Sequence, residues 1–187
     1  MFVDYLTIML VNTGAGLALL AHYLYMAPAQ GHRRGWAAGF FATGLLGILT
    51  ALPMVLTWPL PSSFNIVYGE GSLYLSMAFL AAAVTLTFEW EPMIPALFGV
   101  FGAIYALVGG TRILDLNLGS APLIAALGYW ATGIGGLLTV PAIVRRNQRT
   151  WALVAAVVLG IAAVIWLVTG YEALWAHMLD FIKWTPK

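Results

Sequence analysis

Apolar residues run through this chain in six long blocks, and nearly all of its charged and turn-forming residues collect in the short gaps between them. The blocks span Phe2 to Ala27, Trp36 to Trp58, Gly71 to Trp90, Met93 to Leu116, Pro122 to Val144 and Trp151 to Gly170. Each is long enough for a helix of about 20 residues, the length that crosses a bilayer. The gaps carry helix-ending chemistry: Pro28 to Gly35, the Pro59-Leu60-Pro61 turn, Glu91-Pro92, Asn117 to Ala121, and Asn147 to Thr150. The third gap is so tight that the third and fourth blocks must form a hairpin. The pattern predicts an all-α polytopic membrane protein, one domain over residues 1–187 built as a bundle of six transmembrane helices.

After Gly170 the pattern becomes amphipathic over residues 171–184. Tyr171, Leu174, Trp175, Met178, Phe181 and Ile182 share one helical face, and Glu172, Ala176, His177, Asp180 and Lys183 share the other. This tail is expected to lie along the membrane interface or to continue the sixth helix into solvent. Glu172, His177 and Asp180 are candidates for a pH-sensitive lid, because imidazole changes charge near neutrality. Simple anchoring is the plainer role.

Composition removes whole classes of function. The chain is 62% hydrophobic and 8% charged, where a soluble domain has about a quarter charged, so a sizeable soluble domain is excluded. There is no cysteine, which removes thiolate catalysis, thiolate zinc and iron–sulfur sites, and disulfides. His22, His32 and His177 fall at different depths, so no shared metal or cofactor is expected. A net charge of +1 gives no reason to expect a nucleic-acid partner.

Orientation follows from the cations, which favour the cytoplasm. Arg33 and Arg34 occupy the first gap and Arg145, Arg146 and Arg149 the fifth, against Arg112, Lys183 and Lys187 on the opposite side. Both termini are therefore expected outside the inner membrane. The first block lacks a charged leader and a small-residue cleavage site, so it is expected to be retained.

Twenty glycines concentrate inside the blocks, where they let helix backbones approach closely. Their number suggests a homo-oligomer. The first and fifth blocks echo each other, Thr13-Gly14-Ala15-Gly16-Leu17 against Thr132-Gly133-Ile134-Gly135-Gly136, each followed by an arginine-bearing turn and a Trp-Ala pair. A duplicated hairpin would give that pattern, and so would chance in a small apolar alphabet.

Ionisable groups beside long apolar runs are costly and so point to function. Glu70 and Arg112 are the two that stand out; Arg112 has Asp115 three residues on as one partner and Glu70 as another. A path for a small polar solute would use Asn12, Thr13, Tyr74, Tyr105, Tyr129 and Trp130, with a mouth near Glu70, Arg112 and Asp115.

The segment Thr57-Trp58-Pro59-Leu60-Pro61-Ser62-Ser63-Phe64-Asn65-Ile66-Val67-Tyr68-Gly69-Glu70 resembles the prokaryotic membrane family known as domain of unknown function 981. Gly110 to Leu114, Ser120 to Leu123 and the opening Phe2 to Leu6 fit the same family. The resemblance implies a small prokaryotic membrane protein and brings no activity with it. A looser similarity, in architecture, is to six-span urea and amide channels, carried by Tyr68-Gly69 and the Glu89-Trp90-Glu91-Pro92 turn. No acid stands within the sixth block where that family's pattern would place one.

Two functions follow as expectations. One is a small-solute channel or facilitator acting as a homo-oligomer. The other is an accessory subunit of a respiratory or other membrane complex that contacts other membrane subunits, quinone or haem. An enzyme ranks below both, since no acid–base pair can be named.

Overall fold

The computed structural model describes residues 4–26, 33–145 and 147–183. Met1 to Val3, His32, Arg146 and Lys187 lie outside the described residues, as does the end of the tail from Trp184. The described chain is helical, with no strand: α1 (Tyr5–Met26), α2 (Arg34–Thr57), a π-turn (Asn65–Glu70) leading directly into α3 (Gly71–Thr87), α4 (Met93–Asp115), α5 (Pro122–Val144) and α6 (Arg149–Asp180). Six helices are long and apolar enough to cross a membrane, where only a fully hydrogen-bonded backbone is tolerated. Their hydroxyls follow the same rule. Thr43, Thr50, Ser76, Thr87, Thr111, Thr132, Thr139 and Thr169 all donate to the carbonyl four residues earlier in their own helix.

Each helix packs on the next in chain order, and α6 returns to α1, closing a ring. The α1–α6, α4–α5, α2–α3 and α5–α6 seams are tight, and α1–α2 and α3–α4 are the two loose ones. Glycines explain the tight seams. A Cβ on Gly133 would fall 2.7 Å from the Ala103 carbonyl of α4, one on Gly44 2.8 Å from the Leu80 backbone nitrogen of α3, and one on Gly170 3.0 Å from the Val11 nitrogen of α1. Gly14 and Gly135 meet Leu167 and Leu159 of α6 in the same way. The aligned glycines of the α1 and α5 echo meet different neighbours, Gly14 facing α6 where Gly133 faces α4, and Gly16 facing Phe79 of α3 where Gly135 faces α6. Glycines that suggested a second copy of the chain are largely used inside this one.

Two elements differ from expectation. α3 begins at Gly71 as expected, but the second half of the expected loop before it, Asn65–Glu70, is a π-turn continuous with it. The sixth continues without a break to Asp180, about 48 Å at 1.5 Å per residue, so the amphipathic tail is its projecting end. That end also turns its histidine inward. Tyr171, Leu174, Trp175, Met178, Leu179 and Ile182 are exposed, while His177 faces α1.

The expected hairpin joins α3 to α4 through a left-handed Glu89 at φ 57°, with the Trp90 N–H bonded back to the Thr85 carbonyl at 2.9 Å. At this end Arg34 pairs with Glu89 at 3.0 Å, and Arg149 donates to the Tyr25 carbonyl at 2.7 Å, closing the C-terminus of α1. This arginine end contrasts with the opposite, acidic end, where Asp4, Glu70, Asp115 and Asp180 lie.

Candidate functional site

A narrow cavity of about 140 Å³ lies inside the ring, lined by residues of all six helices and of the π-turn. Its wall on α3 runs from Gly71 to Leu86, about 22 Å of helix at 1.5 Å per residue. So small a volume over that length makes it a slender slot. Its lining contains no charged side chain. Leu10, Leu17, Leu75, Phe79, Leu86 and Leu159 are among its apolar lining residues.

The acidic end of the cavity is built on the π-turn. Asn65, with no exposed surface, accepts from the Leu60 N–H at 2.9 Å and donates back to the Leu60 carbonyl, clamping the Pro59–Pro61 turn. Gly69 lets the turn press on α2, its absent Cβ lying 3.0 Å from Val55 Cγ2. Two tyrosines from across the ring hold the turn: Tyr105 of α4 donates to the Ile66 carbonyl at 2.8 Å and Tyr129 of α5 to the Val67 carbonyl at 2.9 Å. Such single π-turns within helices are frequent at functional sites.

Aromatic rings collar this end. Tyr68 and Tyr129 stand 6.1 Å apart, Tyr129 meets Trp166 edge-on at 5.0 Å, and Tyr74 lies 5.6 Å from Tyr105. Trp166 Nε1 is satisfied by Thr132 Oγ1 at 2.9 Å. Glu70 sits beside this collar, half-buried, and accepts from the Tyr105 hydroxyl at 3.2 Å. Among the described residues no cation pairs with it.

The residues singled out from sequence separate into three places. Thr13, Tyr74 and Tyr129 line the cavity, whereas Glu70 and Tyr105 do not line it and meet each other beside the π-turn. Asn12 is buried between α1 and α2, donating to the Thr43 carbonyl at 2.9 Å, and does not line it. Arg112 pairs with the exposed Asp115 and not with Glu70, and Trp130 Nε1 bonds Thr111 Oγ1 at 3.2 Å on the outer surface. Sequence reasoning missed Tyr68, Ser72, Gly99 and Trp166 as lining residues. The spacing of Tyr68, Ser72, Leu75 and Phe79, one helical face, was the available signal.

At the tip of α6, His177 Nδ1 lies 2.5 Å from Asp4 Oδ2 and 3.2 Å from Thr7 Oγ1. Asp4 also caps α1, accepting from the Thr7 hydroxyl at 2.8 Å and its N–H at 3.3 Å. Partial burial pushes the Asp4 carboxyl up, but the hydrogen bonds with His177 and Thr7 outweigh it and hold it below its usual 3.8. Asp180 shares a cleft with this pair, and Glu172 is exposed on the same helix. Among the described residues no three His, Asp or Glu side chains converge as a metal site would require.

The family model for "Protein of unknown function (DUF981)" matches residues 1–180. The chain belongs to the DUF981 family. No curated protein and no solved structure matches it. The Asn65 clamp and the π-turn supply a physical reason for the Trp58-to-Glu70 segment of this DUF981 chain: its turn, buried amide, close-packed glycine and Glu70 carboxylate are all used.

Proposed function

We propose that this DUF981 protein is a membrane-embedded binding protein for a single-chain apolar molecule drawn sideways from the bilayer. The observation that carries this reading is the long, narrow, uncharged cavity together with its loose α3–α4 seam. At the arginine half that seam is walled by Ala78, Ala82, Pro95, Ala96 and Gly99, and nothing lies within 4 Å of where a Gly99 Cβ would point. Apolar walls of this kind stay dry and take apolar guests. The hydroxyls of Thr132, Thr139 and Tyr129 are spent on backbone carbonyls, which leaves few groups to replace a polar solute's hydration. Extraction of the protein in native nanodiscs followed by mass spectrometry is expected to yield one single-chain amphiphile enriched over the surrounding lipid. Recovery of lipids only in bulk-membrane proportions would overturn the proposal.

The small-solute facilitator is the second reading, favoured by the presence of Thr13, Tyr74 and Tyr129 on one cavity wall. Uptake of urea or glycerol by proteoliposomes no faster than by empty vesicles counts against it. The arginine distribution supports a cytoplasmic arginine end, with both termini outside a prokaryotic inner membrane. The exposed apolar face of the α6 tip, with Trp175 84% exposed, supports contact with lipid, a second copy or another membrane subunit.

A further inference from the structure

The cavity is uncharged but not uniformly apolar, and the place of its free hydroxyls sets the chemistry of the occupant, an inference that rests on the binding reading above. We infer that the cavity takes a short, uncharged alcohol of about six to eight heavy atoms, its oxygen lying in the half of the slot where Thr13, Tyr68 and Ser72 offer free hydroxyls. Three other hydroxyls on the lining are spent: Tyr129 donates to the Val67 carbonyl, and Thr132 and Thr139 to carbonyls of their own helix. Thr13, Tyr68 and Ser72 also line the cavity, and among the described residues no hydrogen bond engages their side-chain oxygens. Every enclosed side-chain nitrogen or oxygen has a partner, so these three oxygens reach open volume. They stand on cavity-lining stripes, Leu10, Thr13 and Leu17 on α1 and Tyr68, Ser72 and Leu75 on the turn and α3.

The three hydroxyls belong to one level of the bundle. Asn12 Nδ2 and Ser76 Oγ both crowd the place where a Gly47 Cβ would stand, so α1 at Asn12 and α3 at Ser76 are side by side. Thr13, Ser72 and the π-turn that carries Tyr68 therefore lie within about two helical turns, about 11 Å. Further toward the arginine end the wall includes Leu20, Leu24, Ala82, Leu86 and Ile143 and is apolar. A hydroxyl left against hydrocarbon forfeits its hydrogen bond, and an alcohol oxygen, which donates once and accepts twice, restores one. A charged head finds no opposite charge on this lining, and a plain hydrocarbon leaves the hydroxyls unpaired. Size follows from volume. A dry cavity of about 150 Å³ takes benzene, and this one, about 140 Å³ drawn out along α3, favours a short chain over a ring.

The test uses a hexan-1-ol analogue with a diazirine in its chain, photocrosslinked to the protein in zwitterionic nanodiscs and mapped by peptide. Unlabelled hexan-1-ol, hexane and dodecan-1-ol compete at matched membrane concentrations. The expected result is saturable labelling of the lining stripes of α1 and α3, displaced by hexan-1-ol at concentrations about tenfold below those of hexane, with dodecan-1-ol the weakest. Thr13→Val, Tyr68→Phe and Ser72→Ala each remove a free oxygen and keep most of the side chain's shape. The triple variant is expected to bring hexan-1-ol and hexane within about twofold, with hexane competition and the unfolding midpoint unchanged; if it does not fold, the single variants carry the same comparison, each losing part of the advantage or none. Hexane or dodecan-1-ol competing as well as hexan-1-ol, or an alcohol advantage kept in every variant, overturns this inference alone. So does an unlabelled lining in a protein whose mass spectrum shows one enriched longer amphiphile. An unlabelled lining with lipids only in bulk-membrane proportions overturns the binding reading and this inference with it.

Discussion

At the scale of single residues, the turn between α2 and the π-turn is held by one buried amide. Asn65 has no exposed surface and returns both its donor and its acceptor to Leu60. Removing it leaves a part-buried N–H and carbonyl of Leu60 unpaired just where the chain must turn from α2 into the π-turn, through left-handed Trp58 and Ser62 at φ 50° and 56°. Asn65→Ala is therefore expected to destabilise the protein by about 2–4 kcal/mol, two orphaned groups at about 1–2 each, measured by thermal or denaturant unfolding in detergent. Asn65→Asp keeps the acceptor for the Leu60 N–H and is expected to lose less. Equal stability of Asn65→Ala and wild type would mean that the turn is held by its prolines instead.

At the scale of elements, the helices were legible in the sequence because membrane spans are written as long apolar blocks, and the hairpin after Thr87 because five residues leave no other route. Two features were not. The π-turn begins in a stretch rich in turn residues, Pro59 to Ser63, and depends on Tyr105 and Tyr129, which stand far away in sequence. The inward turn of the α6 tip depends on a partner at the other end of the chain: local periodicity assigned His177 to a polar outer face, whereas Asp4 and Thr7 draw it onto α1. That long-range clamp has a pH signature. The folded Asp4 carboxyl titrates below 3.8, its ordinary value, so its contribution is fully present above that value and is lost as the pH falls through the folded one. Asp4→Asn is expected to cost about 1–2 kcal/mol near neutrality, and the gap to wild type is expected to close below about pH 4. A gap that stays constant down to pH 2 would show that the carboxylate charge contributes nothing to the α1–α6 clamp.

At the scale of the whole molecule, the ring is closed by glycine at its tight seams and left loose at α3–α4, and that contrast separates packing glycines from an opening glycine. A side chain on Gly133 would run into the Ala103 carbonyl at 2.7 Å and Leu107 at 2.7 Å, so α4 and α5 would have to part. Gly99 meets nothing within 4 Å, although it lines the cavity. Only the overall cavity reveals this difference, since both residues look alike as glycines in apolar helices. Gly133→Leu is expected to cost about 1–3 kcal/mol, the usual penalty for overpacking. Gly99→Leu is expected to leave stability within about 0.5 kcal/mol, as for other uncrowded positions, while filling the seam beside Ala78 and Ala82. If chains enter sideways there, Gly99→Leu slows exchange of a short apolar chain between nanodisc lipid and the cavity, Gly99→Ala slows it less, and neither shifts the unfolding midpoint. Unchanged exchange in both variants would rule out entry at the α3–α4 seam.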